Sequence, residues 1–370
     1  MRIAILASNI FDLLSGQQKI QRAVLDSLSS LGHELLILTN DRTGRGDPPD
    51  KLRLDKHTLS VLPGDATTRT YLKGWLRYLT SIRHFQPDIL FSFGGASAIL
   101  AWSLRWVKRL PWVQFVYEIH SFDSPMGKYY RSCLRQADCV ICTSEYIKNI
   151  LITHDEKVEK YKVLKYNFGD PEITSVKDGS DNVSGPKTIL YWGDAAEGRG
   201  VEVLIEAISA RGETTDTDFT FIFRFVNEDF RERATELNRI QGVRVIEGTL
   251  PSPELKEHLS KADIIILPYT QTTIQPPLTL LESIGSGKLV ITTDIEANRE
   301  ILGEDGDGGI LIPPNDSNYL GEALEEAISN YDRRLKRLGR FLDRERWLAH
   351  PNEDELRAFL SRIIKSVTRP

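Results

Sequence analysis

Along this chain, short runs of consecutive apolar residues alternate with stretches in which apolar residues recur every three or four positions. RIAILA at 2–7, LLILT at 35–39, ILFSF at 89–93, WVQFVY at 112–117 and ADCVICT at 137–143 belong to the first kind. Such runs, rich in branched side chains and bounded by turn residues, predict strands buried on both faces of a parallel sheet. Between them, helical periodicity predicts helices over 19–31, 71–85 and 96–109. Residues 41–67 are polar and hold one short strand, 59–62. The second half repeats the alternation, with strands at 188–191, 219–225, 243–246, 262–267, 289–292 and 310–312. Helices are predicted there over 199–210, 228–239, 253–260 and 278–286. Alternation this regular predicts two α/β domains, each with a parallel sheet.

The pattern breaks between them. PEITSVKDGSDNVSGP at 171–186 is polar and turn-rich, with neither period. We therefore place an N-terminal domain at 1–165, a linker at 166–186 and a C-terminal domain at 187–318. A helical tail, 319–370, is expected to pack back on the N-terminal domain. A chain of 370 residues is long enough for two such cores.

Composition narrows the classes. A net charge of -5 argues against a nucleic-acid partner, which would want a basic domain. No apolar run approaches the ~20 residues that span a bilayer, and residues 1–8 read as a first strand rather than a leader. The expectation is a cytoplasmic protein. Trp102, Arg105, Trp106, Lys108, Arg109 and Trp112 leave open a second option, contact with the inner membrane surface. Aromatics and cations on one helix suit that surface, whereas buried Trp with snorkelling Arg on a core helix explains them too. Of three cysteines, Cys139 and Cys142 form a Cys-x2-Cys on a strand, where residues three apart face opposite ways. We assign them no metal or redox role.

The most informative stretch is 261–294, KADIIILPYTQTTIQPPLTLLESIGSGKLVITTD. It reads as strand, loop, short helix and strand, with Glu282 one turn into a helix whose N-terminal end attracts anions. The run PLTLLESIGSGKLVITTD resembles the donor-site motif of retaining GT-B glycosyltransferases of family four. That pattern is Glu-x7-Glu, then small residues and a strand. Glu282 stands at the second Glu, which binds the ribose of the nucleotide sugar. Ile274 stands where the first Glu, which contacts the transferred sugar, is expected. Pro276 and Pro277 have no N–H to offer that sugar.

Other segments extend the resemblance over most of the chain. Ser15-Gly16-Gln17 matches a loop that approaches the donor phosphates, which implies a phosphate-facing role for Gly16. Glu118-Ile119-His120 follows a strand at the position of a sugar-facing His, so His120 is the implied catalytic residue. Asn167, Gly169 and Asp170 match the family's cluster before the interdomain linker. Gly193-Asp194 and Arg199-Gly200 match a Gly-Arg then Lys-Gly pair whose cations neutralise the diphosphate. Arg199 keeps the charge, but Asp194 reverses it and must either point elsewhere or bind a cation. Arg224 takes the place of a glycine loop; it supplies a second cation or pairs with Glu228 or Asp229.

The resemblance implies an α/β GT-B fold, two Rossmann-like domains with parallel sheets facing a central cleft. It implies sugar transfer from a nucleotide sugar, a co-substrate, to an acceptor that the sequence does not name. Anomeric retention is implied, with no cofactor and no essential metal. The donor-binding residues would be Gly16, Arg199, Leu278, Thr279 and Glu282, with N–H groups of Leu278 and Thr279 on the phosphates. Two alternatives stay open: a catalytically impaired GT-B partner subunit, and another GT-B enzyme with an acid or base within 118–123.

Overall fold

The computed structural model describes residues 1–7, 16–41, 58–63, 68–118, 125–153, 155, 157–174, 186–211, 217–226, 228–250, 252–271 and 275–368. These fall into two compact units, Met1–Tyr166 with Asn352–Pro370, and Asn167–Pro351.

The first unit is built on seven parallel strands. β1 (Arg2–Leu6), β2 (Glu34–Asp41), β3 (Thr58–Pro63), β4 (Ile89–Phe93), β5 (Trp112–Val116), β6 (Cys139–Cys142) and β7 (Tyr161–Val163) lie in the order β3-β2-β1-β4-β5-β6-β7. β4, β5 and β6 are buried at every position, as strands covered on both faces must be. The helices are α1 (Gly16–Ser30), α2 (Thr68–Phe85), α3 (Gly94–Lys108), α4 (Pro125–Leu134) and α5 (Glu145–Ile152). Tyr78 and Ile82 of α2, Ala101 and Leu104 of α3, Cys133 of α4 and Ile147 of α5 share one core with Leu6, Leu38, Leu90 and Val140 of the sheet. These four helices therefore cover one face. Ser144 caps α5, its Oγ accepting the Ile147 N–H at 3.2 Å, as its place before that helix predicts.

The second unit has six parallel strands in the order β10-β9-β8-β11-β12-β13. It runs α6 (Pro171–Thr174), β8 (Lys187–Ala195), α7 (Val201–Arg211), β9 (Thr217–Val226), α8 (Glu228–Leu237), β10 (Val243–Glu247), α9 (Ser252–Lys261), β11 (Ile264–Leu267) and α10 (Leu278–Gly285). Then follow β12 (Leu289–Thr293), α11 (Asn298–Leu302), β13 (Ile310–Ile312), α12 (Ser317–Ser329), α13 (Tyr331–Arg344) and α14 (Arg346–Ala349). α7, α8 and α12 share a core with Ile189, Phe221, Ile266 and Ile291 of the sheet. α10 packs with α6 and α14.

The structure departs from the expected boundaries in three places. β8 runs on past the expected end at 191 through Ala195, so Gly193 and Asp194 lie within a strand rather than a loop; Arg224 lies within β9, as the strand expected over 219–225 has it. The tail is not one piece: α12, α13 and α14 belong to the second unit, and only α15 (Glu353–Thr368) returns to the first, against α1. Asn167, Gly169 and Asp170, which fall within the expected linker at 166–186, belong to the second unit.

Candidate functional site

In open parallel sheets, ligands bind beyond the carboxyl ends of the strands where the strand order reverses. In the second unit the chain runs β8, β9, β10 to one side, then returns to β11 on the other side of β8. The reversal therefore lies between β8 and β11, whose carboxyl ends lead to Ala195–Arg199 and to Pro268–Gln271.

These two connections are pinned together. Gly198 C=O accepts the N–H groups of Thr270 at 3.0 Å and Gln271 at 3.1 Å. Gly200 has φ +70°, and a Cβ there would lie 1.6 Å from the Pro268 carbonyl oxygen, so only glycine fits. Between these glycines sits Arg199, its guanidinium 5.7 Å from the ring centroid of the buried Tyr269. That distance is within range of a cation–π contact. The Tyr269 hydroxyl bonds Thr279 Oγ1 in the first turn of α10. Arg199, Tyr269 and Thr279 thus form one connected group.

Pro277 precedes α10 and gives it no side-chain cap, and helix N-termini leave N–H groups without intrahelical partners. Leu278 and Thr279 occupy that first turn. Trp192 Nε1 donates to Ser283 Oγ at 3.3 Å, tying the helix to β8.

Glu282 is 1% exposed. One carboxylate oxygen accepts the Asp170 N–H at 2.8 Å. A Cβ on Gly169 would lie 2.4 Å from Glu282 Cγ. Asn167 Oδ1 accepts the Gly169 N–H at 2.9 Å, while Asn167 Nδ2 donates to Leu281 C=O at 3.0 Å and Leu348 C=O at 2.6 Å. The segment 167–170 therefore forms a mould around Glu282, a role its sequence does not announce.

Asp194 neither stands alone nor needs a cation from solution. Arg224 Nε donates to Asp194 Oδ1 and Nη2 to Oδ2, both at 2.8 Å. Glu228, an expected partner of Arg224, instead pairs with Arg231 at 3.0 Å. Close by, the Tyr191 hydroxyl donates to the Asp194 carbonyl at 2.8 Å, and burial pushes its ionisation far up.

In the first unit the strand order reverses between β1 and β4. Gly16 opens α1. From the same turn, Gln17 Nε2 donates to Glu118 Oε2 at 2.8 Å, and one turn later Gln21 Nε2 donates to the Tyr117 hydroxyl at 3.1 Å. Gly94 has φ +72°, and a Cβ there would meet Glu118 Oε1 at 3.0 Å. Glu118 is thus held at the end of β5 by a glutamine from α1. Two glutamines one helical turn apart, on an otherwise apolar face, were the available signal. His120 and Ile274 lie outside the described residues, as does Asp123. Among the described residues no group of three or more His, Cys, Asp or Glu side chains has a metal-binding arrangement.

A family model described as "Glycosyltransferase Family 4" matches residues 14–164, and one described as "Glycosyl transferases group 1" matches residues 186–330. An uncharacterized glycosyltransferase of Methanocaldococcus jannaschii is 27% identical over 222 residues, which span 59% of this chain and 57% of that protein. The alpha-monoglucosyldiacylglycerol synthase of Streptococcus pneumoniae is 23% identical over 362 residues, 90% of this chain and 79% of the relative. The crystal structure of Anabaena HepE in complex with UDP-glucose superposes with a TM-score of 0.76 at 12% identity. The match covers 99% of this chain and 100% of the other. The chain belongs to the group 1 glycosyltransferases and has the GT-B fold.

Proposed function

We propose that this protein transfers a sugar from a nucleotide-sugar donor to an acceptor hydroxyl with retention of anomeric configuration. One observation carries the reading: Arg199, Tyr269 and the uncapped first turn of α10 meet at the strand-order reversal of the second unit. In this reading Arg199 lies on the donor diphosphate, where a guanidinium bridges phosphate oxygens. The N–H groups of Leu278 and Thr279 meet a phosphate at the helix end. Glu282 accepts from the ribose hydroxyls, its carboxylate steadied by the bond from Asp170. The family resemblance assigns Gly16 to the phosphates and His120 to the transferred sugar.

As the glycosidic bond breaks, negative charge builds on the diphosphate, and groups fixed beforehand stabilise it without reorganising. The reading assigns that work to Arg199 and the α10 N-terminus rather than to a metal or cofactor. The complex of HepE with UDP-glucose supports a nucleotide sugar as the class of donor. With Ile274, Pro276 and Pro277 in the sugar loop, common hexoses should be weakly distinguished.

The test is nucleoside diphosphate release from a panel of nucleotide sugars, with the product anomer read by NMR. Release above the hydrolysis background, with retention, is the expected result. Nucleotide-sugar binding without turnover would instead favour a catalytically impaired partner subunit.

A specific observation also favours peripheral membrane contact. α2, α3 and α4 contain no Asp or Glu, and each carries Lys or Arg. Their layer exposes Leu76 (54%), Trp106 (67%) and Tyr129 (43%). Exposed aromatics among cations suit an anionic lipid surface. Trp106→Ser should reduce sedimentation with phosphatidylglycerol vesicles and leave melting unchanged. No helix among the described residues is long and apolar enough to cross a membrane.

A further inference from the structure

We propose that Arg224 is a second diphosphate-binding cation of the donor site, held in place by Asp194. The proposal rests on the donor reading above and deepens it.

The strand register is the first observation. Gly193 of β8 lies opposite Phe223 of β9, but Asp194 lies opposite Phe225, so Arg224 is an extra residue on β9. A bulge of this kind re-aims one side chain and interrupts the ladder locally, and bulges recur beside active sites. Here it falls at the carboxyl end of β9, on the strand next to β8 and its connection to Arg199.

The ion pair is the second. Asp194 grips Arg224 through two parallel bonds, both at 2.8 Å. The pairing is side-on, through Nε and one terminal nitrogen, which fixes the plane of the guanidinium. The two partners differ in exposure: the Asp194 side chain is 18% accessible and the Arg224 side chain 41%. The acid is the more buried partner and the cation the more exposed. The orientation of the guanidinium is set before an anion binds, so little side-chain freedom is lost on capture.

The third observation is the short path of chain between the two cations: Asp194, which holds Arg224, stands five residues before Arg199, whose N–H turns back to the Ala196 carbonyl at 3.1 Å. The buried Tyr191 hydroxyl fixes the start of that path, donating to the Asp194 carbonyl at 2.8 Å. A diphosphate carries charge on two adjacent phosphoryl groups, and two guanidiniums match it better than one. Asp194, which alone would repel that ligand, serves it by holding Arg224.

The experiment is calorimetry on the full chain with UDP and GDP, each compared with its nucleoside, for the native protein, Arg224→Ala and Arg224→Met. The second variant keeps an apolar stem in case the first folds poorly, and melting temperature reports on folding in both. The expected result is that the gain in affinity of the diphosphate over the nucleoside falls tenfold or more, while nucleoside affinity stays within twofold. Arg224→Lys should recover part of the loss, since it keeps charge but not the fork. A diphosphate gain preserved within threefold in folded Arg224 variants would overturn this proposal and leave the donor reading standing. If the native protein binds diphosphates no better than nucleosides, the donor reading fails, and the role of Arg224 falls with it.

Discussion

At Gly169 a single methyl group would lie 2.4 Å from Glu282 Cγ, and the neighbouring Asp170 N–H bonds the same carboxylate. Backbone and acid are therefore fitted to each other. Gly169→Ala should displace Glu282 or the segment 167–170, at ~1–3 kcal/mol, the usual cost of overpacking. Urea denaturation checks the stability, and nucleoside affinity should fall with it. Glu282→Ala should cost about 1.5–3 kcal/mol of nucleoside affinity, the range for hydrogen bonds to a charged group. Arg199→Ala should weaken nucleoside diphosphates far more than nucleosides; equal losses by calorimetry would remove Arg199 from the diphosphate. Sequence made Glu282 and Arg199 legible because each stands in a run of matching residue types and spacing. Asn167 and Tyr269 were not legible as contributors, because their roles depend on contacts across long separations, Asn167 to Leu348 and Arg199 to Tyr269. The Asp194–Arg224 pair is half legible: both charges stand out in the sequence, but not the return of the chain, thirty positions on, to an adjacent strand.

The strands themselves were easier to read, since burial on both faces leaves long apolar runs. β6 is an example with a measurable consequence. Cys139 and Cys142 are buried on it, and burial pushes the Cys139 thiol up to about 12 and raises Cys142 as well. Neither thiol should react with a soluble disulfide reagent until the protein is unfolded. A thiol raised on folding gives stability that is whole below its unfolded value, near pH 9, and is lost as pH rises towards 12. Between these limits the unfolded chain binds fewer protons, so stability falls with pH. The native protein should lose about 1.4 kcal/mol per pH unit relative to Cys139→Ala over that window, which urea melts at pH 8 and pH 10 would reveal. α4 went unread because PMGKYYRSCL opens on proline and glycine and carries only a short apolar stripe. The end of β8 is not legible because Gly193 and Asp194 look like turn residues, and the bulge opposite it leaves no mark in an apolar pattern.

For the whole chain, the two parallel sheets followed from the alternation of periods, which composition and charge did not disturb. The fate of the tail did not follow. α12 to α14 and α15 have similar amphipathic sequences, and nothing in them states which sheet each will cover. Leu356, Leu360, Ile363 and Ile364 of α15 are buried, as are Ile20, Val24 and Leu28 of α1, the helix it packs against. A chain stopped after Pro351 should therefore destabilise the first unit, and proteolysis within α1 would detect it. The discontinuous first unit also orders events during translation. Residues 167–351 can complete their unit as soon as they leave the ribosome, while the unit of residues 1–166 is complete only once residues 352–370 have followed. A nascent chain arrested short of 352 would hold a finished second unit behind an unfinished first, the reverse of the usual N-terminal-first order. Chaperone capture would then fall on the earliest-made residues.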